Sequence, residues 1–246
     1  MNQRIRSLAV LLALPFLASC TVDDVVDAFG PRPDPQLVEL ADLAHAEGRT
    51  GQADELAAEI ARLCGTHADG SVPESCAYSP GEPPAEDAFA ATADAVDEVP
   101  DDSRDLLARQ AVQLAGDADL PAVELSPEAA EQARALLRAE FAASYGLSAA
   151  RAFSPADEVD PLIDAADDRI DLLRDVLSPT GDVPVAEAGY EVTGDLGPED
   201  PGFPETVAAE LDAAWLTAVS DADEDDWRRW LALVAGRGEP HTDPGA

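Results

Sequence analysis

Residues 178–204 place the strongest constraint on how this chain can fold. They form a long stretch crowded with Pro179, Gly181, Pro184, Gly189, Pro198, Pro201, Gly202 and Pro204, set between segments of strong helical periodicity. Proline fixes φ and removes a backbone donor, and glycine adds backbone entropy, so the stretch resists regular structure. Only "EAGYEV", residues 187–192, hints at extended chain. A connection this long inside a compact domain needs a reason. Before it, Ser126-Pro127 offers an N-cap followed by proline at the first helical position. Ala129, Ala133, Leu136, Leu137, Phe141, Ser144, Tyr145 and Ser148 then recur on one side of a helix. "SPADEVD" repeats the device, with Ser154 as cap, Pro155 leading and Asp157 at the capping-box position. Leu162, Ile163, Ala166, Ile170, Leu173 and Leu177 form the stripe that follows, and Pro179 stops it. Beyond the stretch come Val207, Leu211, Trp215 and Val219, then Trp227, Trp230, Leu231 and Val234, with the acidic turn "SDADEDD" between them and Gly236 at the end. A hairpin of helices, a long crossing connection and a second hairpin is the wiring of a bundle whose second and third helices run parallel, because the chain must travel back the bundle's length.

The first half of the chain is also helical in pattern. Leu37, Leu40, Ala41 and Ala44 recur at helical spacing, "EGRTG" interrupts, and Leu56, Ile60 and Leu63 resume the stripe up to Cys64, which predicts one helix with a weak middle or two helices. Phe89, Ala93 and Val96 give another apolar face, ended by Pro100. Asp101, Asp102 and Ser103 supply a cap for the next helix, which presents Leu106, Leu107, Gln110, Ala111 and Leu114. No alternating strand pattern and no hairpin turn signal occurs, so the expected class is all-α.

The start of the chain addresses it. Arg4 and Arg6 precede an apolar run, residues 8–17, that is too short to span a bilayer as a lasting helix. That is the layout of an export signal. The run ends in Leu17-Ala18-Ser19-Cys20, which resembles the lipobox of bacterial lipoproteins: small residues admit a peptidase, and the Cys20 thiol is the nucleophile that takes a diacylglycerol. Buried acyl methylenes, about 0.8 kcal/mol each, then hold the mature chain at the outer face of a membrane. Lipidation of Cys20 leaves Cys64 and Cys76, which enclose the turn-rich "GTHADGSVPES" in an oxidising compartment, where a disulfide is the natural result. Zinc ligation by Cys64, His67 and Cys76 competes with it, without an obvious fourth ligand.

Composition excludes more than it assigns. There are 51 acidic and 15 basic residues, every basic one an arginine, for a net charge of -36. Such a chain repels nucleic acid, whose affinity comes largely from Lys and Arg at phosphates. It repels anionic headgroups equally, so the lipid and not the surface must supply the membrane contact. The acid excess fits cation capture or a basic partner, or else solubility in a GC-rich, salt-tolerant bacterium. No Gly-rich phosphate loop and no Walker lysine are present.

"RALLRAEFAASYGLSAARAF", the arginine-bearing "DDRIDLLRDVL", the Pro-rich crossing and "ETVAAELDAAWLTAV" with "WRRWLALVAG" together resemble the ferritin-like domain of unknown function 4439, found in actinobacterial lipoproteins. The resemblance covers roughly residues 126–237 and centres on Glu140, Tyr145 and Gly146; "ARLCGTHADGSVPESC" ahead of it also looks like such lipoproteins. It implies a four-helix bundle outside the membrane and no established activity. Carboxylate-bridged metal sites in such bundles use Glu on two helices and Glu-x-x-His on the other two. This bundle contains no histidine: His45 and His67 precede it and His241 follows. Asp42-Leu43-Ala44-His45 is a single Asp-x-x-His. Asp167, Asp168, Asp171 and Glu210 leave open an oxygen-only site for calcium or magnesium. Pairing of Glu140 with Arg169 or Arg174 meets the same burial constraint. Trp227 and Trp230 either cap the core, with Arg228 and Arg229 facing water, or mark a ligand surface.

The expectation is therefore an all-α protein: a ferritin-like four-helix bundle preceded by a helical, disulfide-containing N-terminal region. Residues 1–19 are the signal peptide, 20–35 a tether, 36–125 the N-terminal region, 126–237 the bundle and 238–246 a tail. The expected role is a non-catalytic envelope module, held to the membrane through Cys20 and meeting an envelope protein, with no cofactor and no metal. The alternative is a carboxylate-based metal protein or enzyme. Glu140, Ser144, Tyr145 and Ser148 form the candidate internal polar cluster whose direction separates the two.

Overall fold

The computed structural model describes residues 30–85, 87–116, 118–190 and 196–237. The expected signal peptide with Cys20, most of the expected tether and the expected tail lie outside the described residues. Among the described residues there are eight α-helices and three short 3-10 turns, and no strand. In chain order the helices are α1 (Pro35–Ala46), α2 (Thr50–Cys64), α3 (Ala88–Asp94), α4 (Asp101–Leu114), α5 (Pro127–Ala150), α6 (Ala156–Leu177), α7 (Phe203–Asp221) and α8 (Asp225–Gly236).

The N-terminal periodicity resolves into two helices, because Gly48 takes a left-handed φ of 74° where the stripe weakens. Asp34 caps α1, its carboxylate accepting from the Gln36 and Leu37 amides. α1 and α2 pack as a hairpin around Leu37, Leu40, Leu56 and Ile60, and Leu107 of α4 closes that core. A disulfide joins Cys64, at the end of α2, to Cys76 in the turn Glu74–Cys76. Both thiols are consumed, so a Cys-His zinc site does not form. Pro31 is fixed against the same loop: its carbonyl accepts from the Ser75 hydroxyl and lies 3.3 Å from Cys76 Sγ.

The larger core gathers Ala108, Ala111 and Val112 of α4, the inward faces of α5 and α6, and Leu211, Trp215, Val219, Trp227, Trp230 and Leu231 of α7 and α8. α4 thus feeds both cores. α5 packs most extensively on α6 and then on α7, whereas α8 packs on α7, α4 and α3. α6 touches α7 only lightly, and α4 lies against the α7–α8 hairpin.

Two helix starts differ from expectation. Ser126 does cap α5, its hydroxyl accepting from the Ala129 amide. Ser154 does not cap α6: its own amide donates to the Ala150 carbonyl, which ties it to the turn closing α5, and Pro155 stands at the cap position without a side-chain bond. α4 likewise starts after Pro100. Asp101 and Asp102 favour its positive end electrostatically, and Ser103 turns its hydroxyl to Glu59 of α2.

The crossing connection keeps close to the helices at its start. Arg134 of α5, nearly buried, pairs with Glu131 at 2.6 Å and with Asp182 at 3.1 Å, and donates to the Asp182 carbonyl at 3.0 Å. Val183 and Tyr190 then pack on the core. "EAGYEV" forms no strand over its described part, residues 187–190.

Candidate functional site

The inward line of α5 departs from the one its sequence predicts. Ala129, Ala133, Leu136, Leu137 and Phe141 are buried as predicted, but Glu140 joins them, and beyond Phe141 the buried positions are Ala143, Gly146, Leu147 and Ala150, on the side facing α6 and α7. The predicted stripe leaves the buried face only at its end, at Ser144, Tyr145 and Ser148. The candidate internal cluster therefore does not assemble. Only Glu140 points inward, fully buried, whereas Ser148 is exposed and Tyr145 is 44% exposed. Ser144 sits at the surface, hydrogen-bonded to Asp167 at 3.2 Å.

Glu140 lies where α5, α6 and α7 meet. Its Oε1 accepts from Arg169 Nε at 2.5 Å and from Trp215 Nε1 at 2.6 Å, and its Oε2 is 3.5 Å from Arg169 Nη2. Burial pushes the Glu140 carboxyl above the usual carboxylate range, and Arg169 and Trp215 pull it back. Asp212, one turn before this site on α7, is also raised by desolvation and opposed by Arg169. Arg174, the other candidate partner, stacks over the Phe141 ring at 5.2 Å and bonds Asp171. The one inward carboxylate of α5 is thus held by a guanidinium and an indole.

Such an arrangement stabilises a fixed charge and offers no open coordination position. Among the described residues no three His, Cys, Asp or Glu side chains converge closely enough to hold a metal ion. Asp42 of the Asp-x-x-His is engaged elsewhere: it accepts from the Tyr78 hydroxyl and the Gly81 amide, both at 2.8 Å. Burial, and then the contact with Asp42, push the Tyr78 hydroxyl up to about 12. His45 is exposed.

The α8 tryptophans belong to the core. Trp227 and Trp230 are almost wholly buried and stack with ring centroids 5.0 Å apart; Trp227 Nε1 donates to Gln132 at 2.6 Å. Arg228 was expected to face water and instead is fully buried. It pairs with Asp97 and, at 2.9 Å, with Asp225, and donates to the Ala93 and Ala222 carbonyls. Arg229 beside it grips Asp94, with Nε 2.7 Å from Oδ1. The two arginines pin α8 to the end of α3, where helix carbonyls and acids favour a cation. Their i and i+1 spacing alone gave no sign of this, since Asp94 and Asp97 lie more than a hundred positions away.

A groove of about 270 Å³ opens between α5 and α7. Ala139, Ala142, Ala143 and Gly146 form one wall, and Val207, Leu211 and Ala214 the other. Phe203, Tyr145 and Tyr190 supply aromatic surface, and Glu210 the acid. Tyr190, from the crossing connection, meets Tyr145 with centroids 5.6 Å apart and planes tilted by 55°. A Cβ at Gly146 would come within 3.3 Å of the Phe203 ring, so glycine lets Phe203 seat close to α5. Tyr145, placed by the sequence among internal polar groups, is thus a wall of this surface groove. Glu140 does not line it. The chain was compared with protein-family models, curated proteins and solved structures, and none of the three comparisons returns a match.

Proposed function

We propose that this chain is a lipid-anchored, extracytoplasmic module of the cell envelope that binds a ligand or partner and carries out no chemistry with its bundle carboxylates. We further propose a ferritin-like ancestry for α5 to α8, in keeping with the actinobacterial lipoprotein family that residues 126–237 resemble. The order hairpin, crossing connection, hairpin supports that ancestry. The packing of α4 on α7 and α8 adds a helix to it.

One observation carries the functional reading: the buried Glu140 is neutralised within the fold by Arg169 at 2.5 Å and Trp215 at 2.6 Å. A metal carrier or acid-base enzyme built on this bundle would need that carboxylate free and others beside it. Groups elsewhere that bear on binding are the groove residues described above. The anchor rests on Cys20 and the apolar run before it.

Native mass spectrometry of the protein extracted from its own membrane tests both parts. The expected species lacks residues 1–19, carries a diacylglycerol on Cys20 and holds no stoichiometric transition metal. Two irons per chain would overturn the non-catalytic reading, and an unmodified Cys20 would overturn the anchor.

A further inference from the structure

Four properties of the α5–α7 groove select what it takes. The first is size: about 270 Å³ is on the order of nine water volumes and sits just below the roughly 300–1,000 Å³ of sites for drug-sized ligands, so the occupant is small. The second is the surface, apolar along the helices and aromatic at Tyr145, Tyr190 and Phe203, which favours a hydrocarbon or aromatic body. The third is Glu210, an exposed groove residue with no hydrogen bond or ion pair to any described residue. The fourth is the absence of any basic residue among those lining the groove, in a chain of net charge -36. An apolar anion such as a fatty acid would face Glu210 and the field of the whole chain, which concentrates cations and repels anions. A neutral apolar molecule would fill the space and leave Glu210 without a partner. An ammonium satisfies both ends, since tyrosine faces attract cations as the carboxylate does.

We propose that this groove binds a small apolar ammonium, whose hydrocarbon body lies against Tyr145, Tyr190 and Ala143 and whose cationic head meets Glu210. The proposal rests on the binding-module reading and names its ligand class.

Isothermal titration of the full chain in phosphatidylcholine nanodiscs, with empty discs as blank, tests it with three probes of matched shape: 2-phenylethylammonium, 2-phenylethanol and 3-phenylpropanoate. The ammonium should bind saturably, about threefold or more tighter than the alcohol, and the carboxylate should not bind. Glu210→Gln, at an exposed position, should bring the ammonium down to the level of the alcohol and leave the alcohol unchanged. Ala142→Phe, on the exposed lip, should abolish binding of both while the far-ultraviolet circular dichroism stays that of the parent. The proposal is overturned if the carboxylate binds as tightly as the ammonium, if Glu210→Gln leaves ammonium affinity unaltered, or if no saturable ammonium binding occurs up to about 10 mM. Its failure is distinguishable from failure of the module reading, which is decided by the metal and lipid content in the native mass spectrum.

Discussion

Replacing Arg169 by methionine isolates the contribution of the buried ion pair. Methionine keeps most of the aliphatic volume on α6 and removes the guanidinium that holds Glu140 at 2.5 Å. What remains is a fully buried carboxylate with one donor, Trp215 Nε1 at 2.6 Å. Removing one partner of a buried pair costs about 3–5 kcal/mol, because the other charge is left uncompensated. Against a total stability of about 5–15 kcal/mol that is about a fifth or more of the margin. With roughly 2–4 °C per kcal/mol for a chain of this size, the melting temperature at pH 7.5 should fall by about 6–20 °C.

The sign with pH is what makes the test specific. Burial already raises the Glu140 carboxyl, and Arg169 is the leading group opposing it. Without Arg169 the folded-state value rises further above the unfolded one. An acid raised in this way adds stability that is fully present below its unfolded pKa and is lost as pH climbs through the folded value. The deficit of Arg169→Met should therefore be largest at pH 7.5 and shrink toward pH 5, as Glu140 takes up a proton. Asp212, also opposed by Arg169, adds to the same trend. Adding Glu140→Gln to Arg169→Met should remove most of the pH dependence and recover part of the stability. Urea unfolding of the three variants at several pH values measures this. A deficit under 1 kcal/mol at pH 7.5, or one that does not change with pH, would refute the reasoning.

Three further outcomes follow from other parts of the fold. Replacing Cys64 and Cys76 together by serine should cost about 3 kcal/mol in the chain-entropy model, and amide hydrogen exchange should show the loss concentrated in α1 and α2, whose core the disulfide adjoins. Arg228→Met leaves Asp97 and the Ala93 and Ala222 carbonyls without their donor, so a loss of about 3 kcal/mol or more is expected, read as a lowered urea midpoint and faster exchange at α3 and the start of α8. In the unaltered protein, the raised Glu140 and Asp212 favour mild acid, whereas Glu59, lowered by Arg62 and Ser103, contributes stability above its unfolded pKa that is lost as pH falls through its folded value. Thermal unfolding should accordingly show maximum stability on the acidic side of neutrality and a fall below about pH 4.

Periodicity made the helices legible, and chemistry made the disulfide legible. Apolar stripes at helical spacing carried α1 to α8, and two cysteines flanking a turn-rich loop, in a chain whose start reads as an export signal, carried the pair at Cys64 and Cys76. The misreadings came from geometry that one helix cannot show. On α5 the stripe holds as far as Phe141, and past it only packing against α6 and α7 decides that Ala143, Gly146, Leu147 and Ala150 face inward in place of Ser144, Tyr145 and Ser148. Ser144, Tyr145 and Ser148 were consequently placed inward when they belong to the surface and the groove. Arg228 was placed outward for a similar reason, since the acids and carbonyls that receive it come from α3 and the turn beyond it. The groove itself had no local signature: Tyr145 and Tyr190 are far apart in sequence, and the crossing connection brings them together.

The internal arginines also explain why the groove differs chemically from the core. In a chain with 51 acids and 15 arginines, a carboxylate drawn inward is destabilising unless a cation or hydrogen-bond donors follow it, as the Tyr78 hydroxyl and the Gly81 amide do for Asp42. Arg169 does this for Glu140, whereas the buried Arg228 and Arg134 reach outward to exposed acids, Arg228 to Asp97 and Asp225 and Arg134 to Glu131 and Asp182. Each is nearly or fully buried and each joins elements distant in the chain, so the acid excess is turned into cross-links within the fold. Glu210 stands outside that pattern. It lies beside apolar and aromatic surface, within reach of solvent, with no arginine among the groove residues. An exposed carboxylate beside apolar and aromatic surface is open to a cation that arrives from outside, and the Glu210→Gln titration decides whether one binds there.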